Sequence, residues 1–211
     1  MRRVIYLHGF ASSPDGHKAS FLHDYFIGRV NVRFEAFAFT PTKRDFEFLT
    51  ISSMIGRLRQ YLGTQPEDDI FLVGSSMGGL VATNYVYRYG GVKKLMLLAP
   101  ALKYLEVNRP DPDGAWARNG VVNMFHYAYG EDTPLRYGLH LDGQAYLTPA
   151  PAQVPTLIIH GRGDDVVPLS GSEAYTAAYR EMVELLAVDS NHGLTDQSIL
   201  IAQKIEQFLL A

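Results

Sequence analysis

The chain has 211 residues, 47% apolar and 19% charged, with 19 Lys and Arg against 22 Asp and Glu and no cysteine. That balance excludes a disordered chain and lacks the basic excess of a nucleic-acid-binding surface. Without cysteine there is no disulfide scaffold, thiol catalysis or Cys-ligated metal centre, so any covalent nucleophile is an oxygen or a nitrogen.

The length fits one large domain, or two very small ones, and no segment approaches the ~20 apolar residues of a membrane span. Met1-Arg2-Arg3 precedes the apolar run Val4-Ile5-Tyr6-Leu7, which is too short for a signal-peptide core and reads as the first buried strand of a cytoplasmic protein. Lys18–Ile27 spaces Ala19, Leu22 and Phe26 as a helix does, and Val32–Phe39 alternates as a strand. Phe46–Leu62 reads as one helix carrying Leu49, Met54, Ile55 and Leu58, stopped near Gly63. Ile70–Val73 is a continuous apolar strand, Met77–Tyr89 a helix ending at Gly90-Gly91, and Leu95–Ala99 a fourth strand. Thr156–His160, Gly171–Arg180, Val183–Val188 and Asp196–Leu210 continue as strand, helix, strand and helix. Strands alternating with helices of ten or more residues predict an α/β architecture. Its sheet is mainly parallel, with about six strands and helices on both faces.

Residues 100–155 break the rhythm and hold seven of the eleven prolines. Val121–Tyr129 and Leu135–Leu141 suit extended structure, with Gly130–Pro134 as a turn between them, so the spacing predicts a β-hairpin in an insertion over the sheet. The aromatic side chains there, Trp116, Phe125, Tyr127, Tyr129, Tyr137 and Tyr146, suit the core of that insertion. Phe125 and Tyr127 are also candidates for contact with a substrate.

The strongest chemical signal is Gly74-Ser75-Ser76-Met77-Gly78-Gly79 between an apolar strand and a helix. G-x-S-x-G in that context is a nucleophile elbow: glycines allow a sharp turn that lifts the serine above the carboxyl edge of the sheet. The register selects Ser76, not Ser75, as nucleophile, and puts the Met77 N–H at a helix N-terminus, where a developing oxyanion is favoured. A phosphate loop is excluded because no Gly-Lys-Ser/Thr follows, and the spacing is not a dinucleotide fingerprint. After the first strand, His8-Gly9-Phe10 offers the Phe10 N–H as second oxyanion donor, with His8 as a buried shaper of the turn.

His160-Gly161-Arg162-Gly163-Asp164-Asp165 follows the fifth strand, and either aspartate there can orient a catalytic histidine. Ser190-Asn191-His192-Gly193 follows the sixth and supplies the candidate general base, His192. His17, His23, His126 and His140 form no ligand pair, so no metal is expected. Lys43-Arg44 and Lys93-Lys94 read as solvated faces.

In their order along the chain, Leu7-His8-Gly9, Gly74–Gly79, His160–Pro168 and Asn191-His192-Gly193 resemble the α/β-hydrolase superfamily. In that superfamily the acid commonly sits in His-Gly-x-x-Asp-x-x-Val-Pro, which the resemblance places at Asp164 rather than Asp165. The opening Tyr6–Pro14 with Lys18-Ala19, and the elbow, are similar to small bacterial esterases of the YqiA type. The insertion and the His-Gly-Arg-Gly-Asp lead-in depart from them. The resemblance implies a shortened α/β-hydrolase fold, a single domain over residues 1–211 with a small cap near 100–155. It also implies a Ser76–Asp164–His192 triad cleaving a small-molecule ester or acyl thioester through an acyl-enzyme, with no cofactor and no nucleic acid. A thioesterase, a peptidase or a carbon–carbon bond hydrolase would use the same residues. A binding protein on this fold would have lost a triad member, and all three candidates are present.

Overall fold

The computed structural model describes residues 1–63, 68–104, 111 and 114–210. Strands β1 (Arg2–Leu7), β2 (Val32–Phe37), β3 (Asp69–Ser75) and β4 (Lys94–Leu98) belong to the main sheet. After them come β5 (Val121–His126) and β6 (Glu131–Arg136), then β7 (Thr156–Gly161) and β8 (Val183–Val188). The order across the main sheet is β2-β1-β3-β4-β7-β8, and every neighbouring pair is parallel.

Burial explains why the strands are continuously apolar. In β1, Val4 and Tyr6 face one layer, with Ala19, Leu22 and Phe26 of helix α1 (His17–Phe26) and Ile201, Ala202 and Ile205 near the C-terminus. Ile5 and Leu7 face the other layer, with Met54, Ile55 and Leu58 of α3 (Ile51–Leu62) and Leu80 and Val81 of α4 (Met77–Tyr89). Alternate residues of one strand thus enter two separate cores. Each such side chain contributes about 1.5–3 kcal/mol from burial. From Met77 to Val86 every residue of α4 is buried, so the helix that begins at the elbow is anchored on all sides.

The chain leaves β1 toward β2 on one side and returns to the other side for β3. Ligands of open α/β sheets bind at such a reversal, outside the carboxyl ends of the strands. Here those ends carry His8-Gly9-Phe10 and Ser75-Ser76.

Four expectations need correction. The helix read over Phe46–Leu62 is two helices, α2 (Lys43–Glu47) and α3. Thr42 with Asp45, and Thr50 with Ser53, each close a reciprocal capping box, so each pair starts a helix of its own. The hairpin exists, but its turn is Tyr127–Gly130, not Gly130–Pro134. The Tyr129 and Gly130 N–H groups both donate to the His126 carbonyl, and Gly130 takes φ +68°, which favours glycine. Pro134 lies within β6, opposite Asn123, and is tolerated because a two-stranded ribbon leaves an outward edge. The alternation of Leu139 and Leu141 belongs to a short helix, Gly138–Gly143. Lys94, read as solvated, reaches the Phe208 carbonyl at 2.8 Å. Pro110 and Pro112 of the insertion lie outside the described residues. Among the described residues no helix is long and apolar enough to cross a membrane.

Candidate active site

Ser76 links β3 to α4 with φ +52° and ψ −118°, a conformation that strains any residue with a Cβ. Its surroundings hold it there. The Ser76 N–H donates to the Leu98 carbonyl of β4 at 2.9 Å, and its carbonyl accepts from the Gly79 N–H at 2.8 Å and the Ala101 N–H at 3.2 Å. The glycines are a steric requirement. A Cβ on Gly74 would sit 2.6 Å from the Gly78 carbonyl oxygen, and one on Gly78 only 2.1 Å from the Leu7 carbonyl oxygen. The turn therefore packs backbone against backbone, directly on the end of β1.

His192 stands over this turn. Its Nε2 lies 3.1 Å from Ser76 Oγ and its Nδ1 2.8 Å from Asp164 Oδ2. With a carboxylate at Nδ1, the proton of the neutral ring belongs there, which leaves Nε2 as acceptor for the serine hydroxyl. The Asp164 side chain is fully buried. Its Oδ1 accepts from the Val166 N–H at 2.9 Å and the Val167 N–H at 2.8 Å. Asp165, the competing acid, is exposed. The geometry thus brings Ser76, His192 and Asp164 together and leaves Asp165 out.

A second histidine, which sequence reasoning treated only as part of a motif, touches the same carboxylate. His160, next to last in β7, is fully buried, with Nε2 at 3.0 Å from the Val167 carbonyl and 3.1 Å from Asp164 Oδ2. The carbonyl fixes the proton on Nε2, so Nδ1 accepts from the Ser172 hydroxyl at 2.8 Å. One carboxylate oxygen therefore faces two histidine N–H groups. The signal in the sequence was a histidine on the buried strand four residues before the acid.

On the other side of Ser76 runs the loop after β1. A Cβ on Gly9 would lie 3.3 Å from Ser76 Cβ and 3.9 Å from Ser76 Oγ, so the Gly9–Phe10 backbone passes alongside the hydroxyl. Met77 is the first residue of α4, and its N–H has no acceptor within the helix. His8 is buried beneath the loop. Its Nδ1 donates to the Gly9 carbonyl at 2.9 Å, and its Nε2 accepts from the Phe39 N–H at 3.3 Å. Burial pushes its pKa down to about 4. The Gly9 contact opposes that shift, and the nearby His126 adds to it. His8 is therefore neutral at pH 7 and shapes the turn.

The hairpin reaches the same loop. The Tyr127 N–H donates to the Ala11 carbonyl at 3.0 Å, and Ala11 itself takes φ +50°. The aromatic group of the insertion divides. Trp116 and Tyr146 are buried, whereas Phe125 and Tyr127 are 51% and 78% exposed, with their rings 5.5 Å apart.

Comparison with known proteins agrees with this architecture. The family model described as "Uncharacterised protein family (UPF0227)" matches residues 3–209. No curated protein matches the chain in sequence. Solved structures similar to it include alpha/beta hydrolase domain-containing protein 10 from mouse, at TM-score 0.78 and 18% identity over 98% of this chain and 89% of that one. Another is Est1E from Butyrivibrio proteoclasticus with ferulic acid bound, at TM-score 0.74 and 16% identity over 100% and 88%. A third is the esterase EaEST from Exiguobacterium antarcticum, at TM-score 0.67 and 16% identity over 100% and 92%. With these likenesses and its parallel sheet, the chain has the α/β-hydrolase fold in a shortened form.

Proposed function

The chain belongs to the UPF0227 family, and we propose that it is a serine hydrolase that cleaves carboxylic esters of small molecules by acyl transfer to water. The observation that carries this reading is the unbroken relay from Ser76 Oγ through His192 to Asp164, at 3.1 and 2.8 Å, at the head of a strained elbow. The company of hydrolases and an esterase among the similar folds supports the same class.

In this mechanism His192 Nε2 takes the hydroxyl proton as Ser76 Oγ attacks the ester carbonyl carbon. The carbonyl oxygen becomes an oxyanion, stabilised by the backbone N–H groups of Phe10 and Met77. One such donor contributes on the order of 10²–10³ in rate. The tetrahedral adduct collapses, the carbon–oxygen bond to the alcohol breaks, and His192 returns the proton to the leaving oxygen. Water, deprotonated by His192, then attacks the acyl-serine, and the acid leaves with Ser76 restored. Asp164 holds the Nδ1–H tautomer and stabilises the imidazolium between proton transfers. The segment between β4 and β7 acts as a small cap on a single 1–211 domain, and Phe125 and Tyr127 present its apolar rim to the acyl group.

A panel of aryl esters and acyl thioesters tests this reading and separates the leaving-group classes. Hydrolysis by the wild-type protein should fall on the order of 10⁴-fold or more in Ser76→Ala. Hydrolysis that survives that change would remove Ser76 from the reaction.

A further inference from the structure

Lys18 is the second residue of α1, and nothing in the proposed reaction uses it. It is not a solvated lysine. Burial pushes its ammonium down to about 8, from a usual value near 10.5. Its Nζ donates to the Gly193 carbonyl at 2.5 Å, a contact between residues 175 positions apart. Among the described residues it has no carboxylate partner. Lys18 is half-buried, and a partly desolvated cation without a counter-charge adds little to a fold's stability. A stabilising role therefore does not explain why the position holds lysine.

The contact point does explain it. Gly193 follows His192, and the loop around them is held from three directions. The Gly163 N–H donates to the Ser190 carbonyl at 3.0 Å, which fixes the start of the loop against the turn after β7. Asn191 Oδ1 accepts from the Gly193 N–H at 2.9 Å, which fixes the peptide between 192 and 193. The next peptide turns into Leu194, which takes φ +49°, and its carbonyl oxygen is the one Lys18 holds. Beyond it the Leu194 side chain is buried and its N–H donates to the Asn191 carbonyl at 3.3 Å, so the peptide's carbonyl end is the part that Lys18 fixes. His192 is tied to Ser76 and Asp164 only through its ring, and its backbone is set by this loop.

We propose that Lys18 is a positioning residue for His192: by gripping the Gly193 carbonyl from α1, it sets where the imidazole stands between Asp164 and Ser76. The proposal rests on the reading of His192 as the base of the hydrolase. A displacement of about 1 Å at such a relay lowers turnover by on the order of 10²-fold.

The test uses the full chain with Lys18→Met, which keeps the length of the stem and removes the donor. Lys18→Gln serves as a second variant, too short to reach Gly193. In both, kcat for an aryl ester should fall by roughly 10- to 100-fold with KM little changed. The melting temperature should hold or rise, because a desolvated charge is gone. Hydrogen exchange at the amides of residues 192–194 should quicken, a readout that needs no turnover. Wild-type kcat and wild-type exchange in both variants would overturn the proposal. So would a loss confined to KM, which would make Lys18 a substrate contact. A fall in activity that only tracks a lower melting temperature would also overturn it. Hydrolysis that persists in Ser76→Ala would sink the Ser76–His192 reading instead, and exchange at 192–194 would still report whether Lys18 holds the loop.

Discussion

Replacing Gly78 with alanine puts a methyl group where there is no room for one. Its Cβ would stand 2.1 Å from the Leu7 carbonyl oxygen and 2.8 Å from that of His8. Both are backbone atoms at the end of β1, so no side chain can swing aside, and the Leu7 contact must open by about 0.9 Å to reach even 3.0 Å. Overpacking of this kind costs about 1–3 kcal/mol. At roughly 2–4 °C per kcal/mol for a chain of this size, the melting temperature should fall by several degrees. The larger effect is on chemistry. The two pieces pushed apart are the turn that carries Ser76 and the strand that delivers Gly9-Phe10, so nucleophile and oxyanion donor lose register. Turnover should drop by on the order of 10²-fold in the protein that remains folded. Gly56→Ala is the control. It lies inside α3 with no atom within 4 Å of the added Cβ, and it should stabilise by about 0.5–1 kcal/mol with activity unchanged. Thermal melts and initial rates on an aryl ester read both. A Gly78→Ala protein with wild-type melting and wild-type rate would refute the steric account of the elbow.

Strain at Ser76 makes a separable prediction: Ser76→Gly should melt higher than Ser76→Ala by an amount equivalent to about 1–3 kcal/mol, although both are inactive, because only glycine relaxes φ +52°. Equal melting temperatures would remove the strain. His8 predicts an acid limb of stability. Its folded pKa of about 4 lies below the usual 6.5, so its contribution is complete above pH 6.5 and is lost as pH falls through about 4. The loss amounts to about 3 kcal/mol, and in urea titrations across that range His8→Gln should show a flatter profile. At the hairpin, Tyr127→Ala should shift the preferred acyl-chain length while leaving the melting temperature within about 1 °C, since the ring is 78% exposed. An unchanged preference would remove Tyr127 from the substrate's path.

What could be read from the residues depended on how local the cause was. The elbow was legible because its glycines and serine stand at fixed spacing between an apolar strand and a helix, although the atom that demands Gly78 lies on β1, and the parallel sheet because doubly covered strands are apolar throughout. The split between α2 and α3 was also local, but the apolar spacing runs across Phe48 and masks the Thr42–Asp45 and Thr50–Ser53 boxes. The hairpin was found and its turn misplaced, since Pro134 marks a turn in isolation, whereas Gly130 with its positive φ closes the actual one. The choice of Asp164 over Asp165 came from resemblance; its physical basis is that only Asp164 turns inward, onto the Val166 and Val167 amides. The contacts of His160 with Ser172, and of Lys18 with Gly193, were not legible. They join residues whose proximity exists only once helices have packed on the sheet.

The central claim is that Ser76 is the nucleophile and His192 its base. A fluorophosphonate probe, which phosphonylates an activated serine, tests it at the level of a single residue, with the adduct mapped by peptide mass spectrometry. The account predicts one adduct on Ser76, absent in Ser76→Ala and formed far more slowly in His192→Ala at neutral pH. An adduct on another residue, labelling that survives Ser76→Ala, or no labelling of the folded wild-type protein would contradict it.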